Sequence, residues 1–454
     1  MLPRRANEEG PTRDPHEEAE ETPGSRHQEL IETGLDAPRA ILIYVARTRP
    51  DHDLFAELAS LCDTAGIHVI EELVQVRAKP SPSHYLGKGK TEELAELVAE
   101  VQADLVVADE ELSPTQARNL EKALPGIRVV DRSELILSIF ETNAQSNQAR
   151  LQVELARRRY ELPRLRRLWT HLHRERGGIG AMGGMGEKQI EVDRRLLRSR
   201  IKKLENKLRD IEARKQREID ARSREFLVSL VGYTNAGKST IMNSLTGAGV
   251  LEENRLFSTL DTRTKRWDMG EGRFALLSDT VGFIRRIPHH LVASFHATLA
   301  EALDAHLLLL VVDASDPEAE EEVQTVLDVL EDIGAGGKEK LVVLNKIDRL
   351  PDQGRLHYLH NKFEGSLAVS ALTGEGMEGL RDAVLAHLDR FSTEHWLAIP
   401  QGRGDLQGRV RELATVIETH YTPEHACFKV RITDDVLAAL QAKGVELLEE
   451  SPIS

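Results

Sequence analysis

The segment Gly232-Tyr-Thr-Asn-Ala-Gly-Lys-Ser239 sets two glycines, a lysine and a hydroxyl at the spacing G-x-x-x-x-G-K-[ST]. Backbone N–H groups can close around phosphate oxygens only where no Cβ blocks the approach, which is why glycine is needed there. In such a loop Lys238 neutralises the β- and γ-phosphates and Ser239 offers a hydroxyl to Mg²⁺. The helix that follows adds the positive end of its dipole. Gly232, Tyr233, Thr234, Asn235, Ala236, Gly237, Lys238, Ser239 and Thr240 are therefore the expected phosphate cradle.

Three more motifs follow in the order of a guanine-nucleotide domain. In Asp279-Thr280-Val281-Gly282 the aspartate can hold Mg²⁺ through water, and the glycine N–H can reach a γ-phosphate. In Asn345-Lys346-Ile347-Asp348 the last carboxylate can accept hydrogen bonds from guanine N1–H and the exocyclic amine, a pair that adenine lacks. That disfavours an ATPase or kinase built on the same loop. Ser370-Ala371-Leu372 is placed as a backbone cradle for the guanine oxygen. Between the first two motifs lies Phe257-Ser258-Thr259-Leu260-Asp261, where a mobile loop should reach the γ-phosphate. Thr259 is the expected second Mg²⁺ ligand beside Ser239 and Asp279, with Thr262 and Thr264 as neighbouring competitors. Lys238, Thr259 and Gly282 are the residues expected to act on the reacting phosphate.

One position breaks the pattern. In Ras-like GTPases a glutamine follows the DxxG glycine and orients the attacking water. Here the residue is Phe283, whose ring cannot polarise water. Slow basal turnover is expected, with a partner or a cation completing the site. Asn235 stands where cation-dependent relatives of this GTPase class hold K⁺ beside the phosphates.

The elements that must position these motifs are legible. Each motif ends a short apolar run, from Phe226, Phe274, Leu341 and Leu367, and α/β sheets bind ligands at such carboxyl ends. Residues 226–392 therefore read as a GTPase domain of α/β class. Upstream, Ile41–Val45, Ile67–Ile70, Leu105–Ala108 and Ile127–Val130 alternate with helical stretches, so 38–132 reads as a small parallel α/β domain. Thr91 is a plausible N-cap of one of its helices. From about Ser133 a long helical stretch follows, broken or kinked at Pro163, and then Gly177–Gly186 holds six glycines in ten residues. Beyond it Ile190, Leu197, Ile201, Leu204, Leu208 and Ile211 form an a/d seam, so 133–225 reads as an antiparallel helical hairpin with the glycines near its tip. A flexible linker is the other reading of that loop. Residues 393–454 suggest a small α+β appendage without a chemical motif. Residues 1–37 hold ten acidic and four basic side chains and no aromatic, and read as a disordered tail.

Charge adds a partner. The 454-residue chain carries −15 overall, yet residues 150–224 hold 23 Lys and Arg against 11 Asp and Glu. A basic working surface on an acidic body fits RNA, whose neutralised phosphates supply most of the affinity. Aromatics at 4% argue against reading single strands by stacking. No apolar run reaches the ~20 residues of a membrane helix, and no secretory leader is visible. Cys62 and Cys427 read as reduced core thiols, so a cytoplasmic protein without membrane insertion is expected, as a monomer.

The stretch from Gly232 to Asp316, with LFSTLDTRTKRW and DTVGFIRRIPHHLVASFHATLAEAL, resembles the HflX family of ribosome-associated GTPases, in the translation-factor-related, Obg-like class. The likeness continues upstream through SHYLGKGKTEEL, DRSELILSIF, LQVELA, ELPRL and GGIG, covering most of 40–390. It implies a GTPase that binds the large (50S) ribosomal subunit and its rRNA through its N-terminal and helical parts. It further implies splitting or rescue of ribosomes under stress, and in some members use of ATP. Two departures stand out: Asn143–Ala149 is neutral where the family is basic, and Met182–Glu187 replaces an Arg-Gly-Pro-Gly-Glu loop. The alternative is a slow GTP-controlled switch for another RNA or protein.

Overall fold

The computed structural model describes residues 37–48, 55–165, 183–222, 225–247, 256–257, 263–270, 273–285 and 301–448. The expected tail at 1–36, the glycines at 177–182, and Ser258, Thr259, Leu260, Asp261 and Thr262 lie outside the described residues.

The first unit is a parallel sheet of four strands, β1 (Arg39–Ala46), β2 (His68–Val76), β3 (Leu105–Ala108) and β4 (Arg128–Asp131), in the order β2-β1-β3-β4. β1 is buried on both faces, as a parallel strand covered by helices must be. Helices α1 (Ala56–Thr64), α2 (Lys88–Val101), α3 (Pro114–Ala123) and α4 (Arg132–Asn143) cover it. The start of α2 corrects one expectation. It begins at Lys88 on Gly87, and Thr91 sits in its first turn, donating its hydroxyl to the Gly87 carbonyl at 3.0 Å. A hydroxyl in the first turn can serve the preceding carbonyl as readily as it caps.

The helical stretch from Ser133 is two helices: it breaks before Pro163, as expected, and also once earlier, after Asn143. α4 stops at Asn143, and α5 (Asn147–Glu161) restarts because the Ser146 side chain accepts from the Ala149 N–H as its N-cap. Pro163 falls in a short 3₁₀ turn that follows. The 40-residue α6 (Gly183–Arg222) begins inside the glycine run rather than after it. Its Ile201, Leu204 and Leu208 pack on Leu151 and Leu155 of α5, and Arg159–Glu205 and Arg200–Glu154 ion pairs flank that seam.

The central sheet has six strands: β5 (Leu227–Gly232), β6 (Arg263–Gly270), β7 (Arg273–Asp279), β8 (Leu307–Asp313), β9 (Lys340–Asn345) and β10 (Leu367–Ala368). Their order is β10-β9-β8-β5-β7-β6, parallel except for the antiparallel edge strand β6. Helices α7 (Lys238–Thr246), α8 (Ala319–Asp332), α9 (Gln353–Lys362) and α10 (Met377–Phe391) belong to this unit. The last unit runs β11 (Thr393–Pro400), α11 (Gly404–Leu413), β12 (Thr415–Tyr421), β13 (His425–Ile432), α12 (Asp434–Gln441), β14 (Glu446–Leu448). Its antiparallel order β12-β13-β11-β14 makes it a split βαβ sandwich, with Leu406 and Val410 of α11 packed against Phe428 and Val430.

The first and second units share one apolar core. Phe55, Leu58 and Phe140 of the first join Tyr233, Phe257 and Phe283 of the second in a single cluster.

Candidate functional site

Strand β5 delivers the chain into the phosphate loop between two neighbours that leave no space. A Cβ on Gly232, at φ +154°, would stand 2.2 Å from the Val311 carbonyl oxygen. One on Gly237, at φ +93°, would stand 2.2 Å from Asn345 Nδ2. Both positions therefore demand glycine twice over, by backbone angle and by contact. Asn235 takes the left-handed φ of 61° and is exposed. The loop turns its backbone to one point and leads into α7.

Lys238 is buried beneath the loop, and its Nζ donates to the Gly232 and Tyr233 carbonyls at 3.1 and 2.7 Å. Burial pushes its ammonium down to about 8, against the pull of Asp279. Ser239 Oγ donates to Asp279 Oδ2 at 2.7 Å, and Asp279 is fully buried at the end of β7. A serine hydroxyl and a carboxylate converging beside a phosphate loop are the hard oxygen donors that Mg²⁺ takes, so the residues fit that ion. A Cβ on Gly282 would lie 2.8 Å from Thr234 Cα and 3.0 Å from Lys238 Nζ. Only glycine lets this segment lie against the loop.

The base-side motifs interlock with the phosphate loop. Asn345 Nδ2 donates to the Ala236 carbonyl at 2.9 Å, and its Oδ1 accepts from the Ala371 N–H at 3.1 Å. One side chain thus ties three motifs. Ser370 Oγ donates to Asp348 Oδ1 at 2.6 Å and accepts from the Thr373 N–H at 3.1 Å, which fixes the carboxylate direction. Lys346 has the left-handed φ of 62° and pairs with Asp313 at 2.7 Å. Leu372 points into solvent, so only its backbone can serve a base.

Other expected site residues have side chains committed elsewhere. Tyr233 Oη accepts from the Arg285 N–H at 2.7 Å and donates to the Glu57 carboxylate. Thr280 donates to the Leu230 carbonyl at 2.7 Å, and Val281 is in the core. Phe257, at φ 57°, packs on Phe140 with centroids 4.6 Å apart, and its carbonyl accepts from Asn143 Nδ2 at 2.8 Å. Phe283 is 2% exposed and fills the core shared by the two units. Thr240 follows Ser239 in α7, half-buried.

Sequence spacing missed Glu57, Arg132, Phe140 and Asn143. They lie more than 80 residues upstream of the phosphate loop; Arg132 and Phe140 stand in the DRSELILSIF segment of the family likeness, which gave them no role at the nucleotide.

Residues 52–141 match the family described as GTP-binding GTPase N-terminal, and 143–224 match the GTP-binding GTPase middle region. Residues 227–346 match the family described as 50S ribosome-binding GTPase. The chain is 42% identical to the GTPase HflX of Magnetococcus marinus over 92% of its own length and 99% of that protein. It is 42% identical to GTPase HflX of Escherichia coli over 83% of its length and 89% of that protein. A crystal structure of a GTP-binding protein from Sulfolobus solfataricus with GDP aligns over 78% of this chain and 99% of that one, at 27% identity and a TM-score of 0.41. Similarity of this degree along nine-tenths of its length makes the chain a member of the HflX family of GTPases.

Proposed function

We propose that this GTPase acts on the large ribosomal subunit, with residues 133–225 as the RNA-facing arm and 226–392 as the unit that binds and hydrolyses GTP. The reading rests on the match of 227–346 to 50S ribosome-binding GTPases. The surplus of Lys and Arg over 150–224 supports it, because released counterions favour structured RNA. Splitting or rescue of ribosomes under stress is the action proposed. No helix among the described residues is long and apolar enough to cross a membrane.

At the nucleotide, Lys238 and the loop N–H groups hold the phosphates, Asp348 reads the base with the Ser370–Leu372 backbone beside it, and Gly282 N–H meets the γ-phosphate. Ser239 and Asp279 would hold Mg²⁺ with Thr259, and the bound ion would supply neutralisation of phosphate charge. Asn235, exposed on the loop, is the residue proposed to hold K⁺. Phe283 is locked in a core and offers nothing to the attacking water, so basal turnover is slow and the ribosome completes the site.

The test is sedimentation of the chain with isolated 50S subunits. It should co-sediment with a non-hydrolysable GTP analogue, fall away with GDP, and weaken steeply as salt rises. Binding that ignores both nucleotide and salt would favour a different partner.

A further inference from the structure

The phosphate loop and the segment after Gly282 run side by side. Thr234 N–H donates to the Phe283 carbonyl at 2.7 Å, Phe283 N–H to the Gly232 carbonyl at 3.1 Å, and Arg285 N–H to Tyr233 Oη at 2.7 Å. The outer rung of this zipper depends on the first unit. Tyr233 Oη donates to Glu57 of α1, and Arg132 at the start of α4 donates to the Arg285 carbonyl at 3.0 Å. Arg132 also pairs with Glu57, and with Asp109 at 2.7 Å. Arg132 is 2% exposed and Asp109 6%, so the cluster lies in a low-dielectric interface where charge-assisted hydrogen bonds are strong.

We infer that Glu57 and Arg132 are positioning residues of the GTPase site: they fix Tyr233 Oη and the Arg285 carbonyl, and so hold Gly282 at the place where its N–H meets a γ-phosphate. A diphosphate does not use that N–H. The latch therefore acts on triphosphate binding and leaves diphosphate binding alone. Phe283, gripped in the shared core between the two rungs, moves only if the latch opens. The inference rests on the assignment of guanine nucleotide to the phosphate loop.

The experiment uses the full chain with fluorescent GDP and a non-hydrolysable fluorescent GTP analogue. Glu57→Ala removes the acceptor of both Tyr233 Oη and Arg132 and should weaken the analogue about tenfold or more, with GDP held within about twofold. Glu57→Gln keeps an acceptor for Tyr233 Oη and should recover most of the loss. Tyr233→Phe deletes one hydroxyl, keeps the ring in the core, and should reproduce the same selective loss. Both variants remove the Tyr233–Glu57 contact, so the double variant Glu57→Ala/Tyr233→Phe should lose less than the sum of the two single losses. Equal losses for GDP and analogue would make the cluster merely structural, and unchanged affinities would make it idle. Tighter analogue binding would mean that the latch opposes the triphosphate. Each of these overturns the inference. A parent chain that binds no GDP overturns the nucleotide assignment itself, a result distinct from any of these.

Discussion

Two carboxylates in this molecule stand in similar places and do different things. Asp109 follows β3, Asp279 ends β7, and each lies at the carboxyl end of a strand flanking the first strand of its parallel sheet. Asp109 meets the guanidinium of Arg132, which also pairs with Glu57. Asp279 meets the hydroxyl of Ser239, with Lys238 nearby. The same contrast is seen one strand over. Asp131, at the end of β4, pairs with Arg164 at 3.3 Å and caps α4 through the Glu134 N–H, though burial still pushes its carboxyl up to about 6. The first sheet spends the charge at its carboxyl edge on its own arginines and on the contact with its neighbour. The second turns its edge to the phosphate loop, where the proposed nucleotide and Mg²⁺ would lie. The general rule about where parallel sheets bind ligands names a location, and the partners there decide whether it is a site or an interface.

The largest effect should come from the base end of the second edge. Asp348→Asn turns an acceptor pair into a mixed amide and leaves guanine N1–H unpaired. GTP affinity should fall by about 100-fold or more, the cost of a charged acceptor lost from a formed site. Xanthine nucleotides, with the reversed hydrogen-bond pattern, should bind the variant better than the parent. A variant that still prefers GTP over ATP as the parent does would remove Asp348 from the base site.

That end of the molecule was also the most legible in sequence. Glycine, lysine and serine at fixed intervals have a geometric cause that shows locally: Gly232 and Gly237 have no space for a Cβ, and Asn345 joins motifs that each end a strand. The strands themselves followed from their β-branched runs, and β3 came out at its expected bounds, Leu105–Ala108. Helix ends were less legible. Gly183 starts a helix despite its neighbours, and Ser146 caps a new helix inside a stretch that reads as one. The Glu57–Arg132–Tyr233 cluster was not legible at all, because a contact across 75 or 176 positions leaves no mark in spacing. Tyr233 looked like a cradle residue from its position, and only the fold turned its side chain toward α1.

The next effect separates the two carboxylates directly. Asp109→Ala strips a buried arginine of one anion and should cost about 3 kcal/mol of stability, measured by denaturant unfolding, while GDP affinity stays near the parent's. Asp279→Ala should do the opposite. Its unfolding should shift by no more than about 1 kcal/mol, since the hydrogen bond it gives up comes from a neutral hydroxyl, that of Ser239, and the dependence of nucleotide binding on Mg²⁺ should vanish. If both variants lose stability alike, the contrast between a spent and an available edge is wrong.

The smallest effect is a pH dependence carried by Lys238. Burial holds its ammonium down to about 8, well below an ordinary lysine. Phosphate beside it favours the charged form, so binding raises that value. Below the unbound value the ammonium is already formed, and binding takes up no proton. Above it each bound nucleotide must bring one, so affinity falls as pH rises. Between pH 7 and pH 8.5, where guanine largely keeps its N1 proton, the Kd for GDP should rise about fourfold. Calorimetry in two buffers of different ionisation enthalpy should show uptake of most of a proton at pH 8.5 and close to none at pH 7. The cation on Asp109 is Arg132, and an arginine keeps its charge throughout the range. The Asp109→Ala variant should therefore keep the whole pH profile of GDP binding. A flat profile in the parent would mean that Lys238 does not touch the phosphates, and the burial that sets it apart would then have no part in binding.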